Sequence, residues 1–307
     1  MITLKRPDGN LPEDFHLSRR GLAAVVFGGY AAAAFSADAA VITTDDAGLT
    51  TSVEQIPTAD GKAIRGYVAR PKANGRFPAV IVVNEVFGLH AYIMDVCRRL
   101  AKLGYAVVAP GFFDRAGDPA PLTMAQFADI QKIVAAANDQ QVMSDVGSTL
   151  QFLRGQLYAD MRKVGITGFC WGGKVVWNAC ETYPDFKAGV AWYGQMAPPP
   201  TPAPNTPPPD PAHPRLWPIE HVADLKCPVL GLYGGKDPLS LAVPTMRDAL
   251  TAAGKTGSEI IVYQDAGHGF HADYRASYVE ADAIDGWQRL KTFFGFNGLL
   301  PGSRRQF

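Results

Sequence analysis

The run Lys163-Val164-Gly165-Ile166-Thr167-Gly168-Phe169-Cys170-Trp171-Gly172-Gly173 decides the fold. Residues 163–167 form a short apolar run of strand character, and Trp171 to Thr182 follows with helical spacing. Glycine at 168 and 172 lets the chain turn tightly between the two without Cβ clashes. Gly-x-Cys-x-Gly is the elbow that lifts a nucleophile above a sheet edge, with cysteine where serine is usual. The sulfur then meets the positive end of the following helix, which favours a thiolate. The backbone N–H of Trp171 is placed to donate to an oxyanion. The competing reading is a structural cysteine in a glycine-rich turn, because free cysteine is commonly buried. A dinucleotide-binding turn fits worse: Gly165-x-x-Gly168 is not G-x-G-x-x-G and comes late in the chain.

The same strand–helix rhythm extends to both sides. Ala63 to Val68 alternates at period two and reads as a half-buried edge strand. Ala79 to Val83 is continuous and rich in β-branched residues, as a strand covered on both faces should be. Further strand runs are 106–109, 188–192, 229–233 and 260–263. Helical patterns lie between them, over His90–Leu103, Met124–Ala137, Gln141–Leu153, Val243–Ala253 and Arg275–Phe294. Alternation of this kind predicts a mostly parallel sheet with helices on both faces, in a single α/β domain over residues 40–296 with a tail at 297–307. Residues 197–218 interrupt it, holding eleven of the chain's 24 prolines. Proline fixes φ and donates no N–H, so this is an extended surface loop, with an interdomain linker as the weaker reading.

Composition narrows the class. The 307 residues are 47% hydrophobic and 19% charged, which suits a globular core and excludes wholesale disorder. Twenty-nine basic residues balance twenty-nine acidic ones, so no net positive field exists to hold nucleic acid. Cys97, Cys170, Cys180 and Cys227 are too few for a disulfide scaffold and form no CxxC pair for a metal. Cys97 and Cys180 fall within helices and Cys227 at a strand start, which reads as core packing.

Two residues beyond the elbow complete a constellation. Asp237 follows a strand in Tyr233-Gly234-Gly235-Lys236-Asp237, and His268 follows the next in Asp265-Ala266-Gly267-His268-Gly269-Phe270. Nucleophile, acid, histidine is the α/β-hydrolase chain order, with each residue after a strand's C-terminal end. Taken singly, Asp237 reads as a turn former and His268 as a surface residue; in this order they read as a triad. His271 is the rival base, with a substrate contact as its other use. His16, His213 and His221 read as surface residues, and His90 as structural beside the pocket.

Together with Asn84-Glu85-Val86-Phe87-Gly88-Leu89, Pro110-Gly111-Phe112-Phe113-Asp114-Arg115 and Gly267-His268-Gly269-Phe270, the elbow resembles the dienelactone hydrolase (carboxymethylenebutenolidase) family over residues 52–295. The resemblance implies a cofactor-free, metal-free lactone or ester hydrolase with Cys170, His268 and Asp237 as triad. It implies that Glu85 contacts the resting nucleophile and helps to activate it, and that the amides of Val86 and Trp171 form the oxyanion hole. It also implies that Arg115 binds a substrate carboxylate. A second family arginine falls at Ala272 here, with Arg275 as its substitute. The small-molecule substrate is then a lactone or ester, with a carboxylate on it as one option. The alternative from another class is a non-catalytic exported binding or sensor protein on the same scaffold.

The N-terminus reads differently from the rest. Ser18-Arg19-Arg20 precedes the uncharged stretch Leu22–Phe35, and Ala37-Asp38-Ala39 offers small residues for cleavage. A helix over that stretch would reach only about 21 Å, too short for a bilayer core, so stable membrane insertion is not expected. Residues 1–39 resemble a twin-arginine export signal, which implies a periplasmic mature chain. A surface helix with an accidental Arg-Arg pair, and a cytoplasmic protein, is the other reading.

Overall fold

The computed structural model describes residues 41–199 and 211–301. The leader at 1–39, residues 200–210 of the proline-rich loop and the end of the tail lie outside the described residues.

The described chain builds one sheet of eight strands in the order β1-β2-β4-β3-β5-β6-β7-β8. These are β1 (Leu49–Pro57), β2 (Ala63–Pro71), β3 (Phe77–Val83), β4 (Ala106–Pro110), β5 (Ala159–Phe169), β6 (Phe186–Trp192), β7 (Val229–Gly234) and β8 (Glu259–Tyr263). β2 pairs antiparallel with both β1 and β4, and every other pairing is parallel. This is the mostly parallel α/β sheet expected from the alternation.

Two helical layers cover the sheet. On one face lie α1 (Ala91–Lys102) and α6 (Glu280–Phe296); on the other lie α3 (Asp139–Arg154), α4 (Trp171–Thr182) and α5 (Val243–Ala252), with α2 (Phe127–Ala136) between α1 and α3 in sequence. β3 shows why both faces need cover. Ala79, Ile81 and Val83 enter one core while Val80 and Val82 enter the other, all fully buried. Burying a Val or Ile contributes about 1.5–3 kcal/mol, so a strand apolar on both sides is stable only between two layers.

Two element readings are corrected. Ala63 to Val68 is not an edge strand: β1, whose centre is largely exposed, pairs along its whole length and takes the edge. Its sequence Leu49-Thr50-Thr51-Ser52-Val53-Glu54 has too little apolar alternation to announce a strand, and pairing with β2 supplies the order. The last helix starts at Glu280 rather than Arg275. Residues 275–279 turn instead, with Val279 N–H bonded to Phe270 O at 3.0 Å, while the Arg275 side chain is drawn into the interior.

The emerging end of the proline-rich loop is strapped to the helices beneath it. Gln140 Nε2 donates to Pro214 O at 2.6 Å and Leu216 N–H to Asp139 Oδ2 at 2.7 Å. The same Asp139 oxygen holds the buried Lys174 ammonium at 2.6 Å, and that ammonium lies 4.8 Å from the centre of the Trp217 ring. Lys174 is in α4, so the loop is tied to the helix that follows Cys170.

Glu181, near the end of α4, is buried, and desolvation, then the Asp224 charge, pushes its pKa up to about 8. A carboxyl raised above its unfolded value stabilises the fold only while protonated, so stability falls as pH rises from about 4.5 towards 8. Glu181→Gln is therefore expected to raise Tm by several degrees at pH 8, with the gain vanishing below pH 4.5 in thermal melts over that range.

Candidate active site

Cys170 stands between β5 and α4 with φ 58° and ψ −119°. An L-residue rarely adopts that conformation, and strain of this sort persists where surrounding structure over-determines it. Here it is enforced by crowding. A Cβ on Gly168 would sit 2.5 Å from Gly172 O, and one on Gly172 would sit 2.6 Å from Val83 O. β5 and the start of α4 thus touch backbone to backbone and leave the intervening residue no relaxed route. Cys170 N–H is bonded to Trp192 O at 3.0 Å, fixing the turn to β6.

Asp237 follows β7 and does two things at once. Its Oδ1 accepts from Leu239 N–H at 3.0 Å, and its Oδ2 lies 2.7 Å from His268 Nδ1. The first bond sets the carboxylate's orientation; the second fixes the imidazole. On its other side His268 lies close enough to Cys170 for the two side chains to interact electrostatically. Burial disfavours the charged imidazole, but the Asp237 and Cys170 interactions outweigh it and hold the pKa at about 10. The ring is therefore cationic at neutral pH, poised beside sulfur. Residues from three strand ends, separated by 67 and 31 positions in sequence, meet in this line.

Glu85, in the loop after β3, differs from its expected place. Its buried carboxylate accepts from Tyr274 Oη at 2.7 Å through Oε2, faces Arg275 Nη2 at 2.9 Å through Oε1, and has His90 Nε2 at 3.5 Å. Desolvation would raise its pKa, but Arg275 and then His90 and Tyr274 overcome it and bring it to about 2. Among the described residues no hydrogen bond joins Glu85 to Cys170, and Glu85 is turned to Arg275. A fully buried guanidinium demands a carboxylate more strongly than a thiol does.

Arg275 is the arginine that the fold brings to Cys170. It is 2% exposed, it donates through Nε to Tyr274 Oη at 3.0 Å, and it lies close enough for its charge to interact with the sulfur. Its guanidinium also lies 4.9 Å from the centre of the Phe87 ring. Arg115 is engaged elsewhere. Its guanidinium makes paired hydrogen bonds with both Asp60 (2.8 and 3.1 Å) and Asp145 (2.7 and 2.9 Å), joining the β1–β2 turn to α3. The expected carboxylate-binding arginine is thus a structural clamp.

His271 is also corrected. It is 3% exposed, 2.6 Å from Tyr92 Oη through Nδ1, and stacked between Phe169 and Trp287. Burial, with the Arg99 charge, lowers its pKa to about 3, so it is a neutral core residue behind the elbow. Val86 and Trp171 lie where the oxyanion reading needs them in sequence, directly after Glu85 and Cys170, and Trp171 opens α4, so its N–H falls outside the helical ladder.

Two site residues escaped the sequence reading. Tyr193, directly after β6, has φ 41°, is fully buried, and presents its ring edge-on to His268 at 5.1 Å. Its hydroxyl has no hydrogen-bond partner among the described residues, and it lies within the fields of Glu85, Arg275 and Cys170. Tyr274 is the other, through its bond to Glu85. Position at the C-terminal end of a parallel strand was the available signal for Tyr193.

Residues 64–297 match the model of the dienelactone hydrolase family. The chain belongs to that family. A provisionally named carboxymethylenebutenolidase of Methylorubrum extorquens is 44% identical over 261 residues, covering 84% of this chain and 85% of the relative. One from Escherichia coli K12 is 41% identical, covering 87% and 94% respectively. The crystal structure of a provisionally named dienelactone hydrolase from Klebsiella pneumoniae superposes with a TM-score of 0.71 at 39% identity, covering 80% of this chain and 98% of that one. The chain is a hydrolase of this family, acting on a small molecule. Among the described residues no helix is long and apolar enough to cross a membrane.

Proposed function

We propose that the chain hydrolyses lactones or carboxylic esters through a Cys170–His268–Asp237 triad and a thioester intermediate. The observation that carries this is Cys170 in a positive-φ elbow, within electrostatic reach of an imidazole whose Nδ1 is 2.7 Å from a buried carboxylate. Sulfur as an anion attacks the carbonyl carbon, and the amides of Val86 and Trp171 receive the negative oxygen. The C–O bond breaks, and the alkoxide takes the proton from the His268 imidazolium. Neutral His268 then removes a proton from water, which attacks the thioester; the acid leaves, and thiolate and imidazolium are restored. Asp237 keeps one tautomer and balances the imidazolium.

Arg275 and Tyr193 complete the reading. Arg275 Nη1 is buried without a hydrogen-bond acceptor among the described residues, and the Tyr193 hydroxyl likewise. Both are donors for polar oxygens of the substrate, a carboxylate among them. Arg115 takes no part. Arg115→Ala is expected to leave kcat/KM for charged and neutral esters equally unchanged. It should lower stability by about 2–4 kcal/mol, because it leaves Asp145 buried without its partner. A urea titration beside the two kinetic assays checks this.

Turnover of p-nitrophenyl acetate that stops on iodoacetamide treatment tests the hydrolase reading against a non-catalytic binding protein. A panel of cis- and trans-dienelactone, neutral lactones and aryl esters then identifies the preferred acyl group. We also propose that the enzyme works in the periplasm, supported by the twin-arginine pattern at Ser18-Arg19-Arg20. Fractionation of cells carrying a C-terminally tagged chain tests this, and uncleaved protein confined to the cytoplasm overturns it.

A further inference from the structure

The four cysteine thiols have different surroundings. Cys170 faces His268, and Cys97 sits in the core of α1 among apolar side chains. The remaining two are neighbours. Cys180, in the last turns of α4, and Cys227, just ahead of β7, are near enough for their side chains to interact. Backbone contacts fix this meeting independently. Lys226 N–H donates to Cys180 O at 2.8 Å, and Gly189 N–H donates to Pro228 O at 3.0 Å. A Cβ added to Gly189 would stand 2.6 Å from Cys180 Sγ, so that sulfur occupies the space a β6 side chain would fill. Residues 180 and 227 are therefore brought side by side against β6, one from a helix and one from a strand entry.

We propose that Cys180 and Cys227 are a disulfide-forming pair, whose bond clamps the end of the nucleophile-bearing helix to the start of β7. The loop it closes runs from 180 to 227, and linking its ends restricts the unfolded chain. The oxidant is a low-molecular-weight disulfide such as glutathione disulfide. Cys227, 9% exposed against 0% for Cys180, is the sulfur that meets it first. Its thiolate attacks the oxidant and releases one glutathione as thiol. Cys180 then attacks the Cys227 sulfur of the mixed disulfide and releases the second. Two protein thiols lose two protons and two electrons, and one disulfide oxidant becomes two thiols. None of this depends on the hydrolase reading.

The test uses the full chain carrying Cys170→Ala, which removes the sulfur of the elbow from the chemistry. The protein is equilibrated with glutathione disulfide, alkylated, and digested with trypsin without reduction. Mass spectrometry is expected to find peptide Val175–Lys187 linked to peptide Cys227–Lys236, with Cys97 alkylated after denaturation. Tm of the intact protein rises by several degrees and returns on adding dithiothreitol. In Cys170→Ala/Cys180→Ala, a glutathione adduct persists on Cys227. Recovery of both peptides alkylated, a lasting adduct on Cys227 with Cys180 present, or a bond to Cys97 overturns the proposal.

Discussion

Cys170→Ala is expected to lower kcat/KM for an aryl ester by at least about four orders of magnitude while the far-UV spectrum stays unchanged. The loss is this large because the remaining groups, His268 and the elbow amides, can polarise a carbonyl but not form the acyl intermediate. The fold survives because the elbow is made by backbone contacts at Gly168 and Gly172, which alanine does not touch. Cys170→Gly separates function from stability further. With φ 58° relieved, the glycine variant is expected to be about 1 kcal/mol more stable than the alanine variant, although both are inactive. Equal stability of the two would mean that the elbow holds no strain. Cys170→Ser should also lose orders of magnitude, since a serine hydroxyl beside a cationic imidazole is not ionised as a thiol is. Retained turnover in the alanine variant would overturn the nucleophile assignment.

Asp237→Asn comes next, with an expected loss of roughly three to four orders of magnitude in kcat. Its side-chain oxygen can still accept from Leu239 N–H, so the turn is kept and the charge alone is removed. The pH profile distinguishes this from a folding defect. In the native enzyme the alkaline limb of kcat/KM is expected to follow the His268 proton, which Asp237 and Cys170 hold at about 10 against burial. Above that pH the imidazolium is lost and the leaving oxygen finds no proton, so the rate falls. Without the Asp237 charge, burial dominates and the limb moves down by more than one unit. A limb that stays near its native position would show that another group sets it.

How much of this was legible in the residues depends on the distance over which each cause acts. The elbow is a local object: Gly168, Gly172 and the strand and helix around Cys170 carry their own reasons within a dozen residues. The order Cys170, Asp237, His268 is long-range, yet it was legible because parallel strands deliver their C-terminal ends to one edge. Glu85 and Arg275 were not legible as partners. They are 190 positions apart, and only the packing of the 270–279 turn against the loop after β3 shows that Arg275 belongs inside rather than on the first turn of a helix. Arg115 failed for the same reason. A motif position says which residue is present, but Asp60 and Asp145, from the β1–β2 turn and α3, decide what its guanidinium binds.

The amino-acid order alone determined the layered α/β architecture, the elbow and the three residues lined up after strand ends. These follow from periodicity, glycine sterics and chain direction, which act along the backbone. Tertiary structure alone decided the charge states and partners: His268 held cationic, Glu85 held ionised against Arg275, His271 held neutral between aromatic rings. Those outcomes are set by desolvation and by Coulomb interactions at a few ångströms, between groups that the sequence keeps far apart.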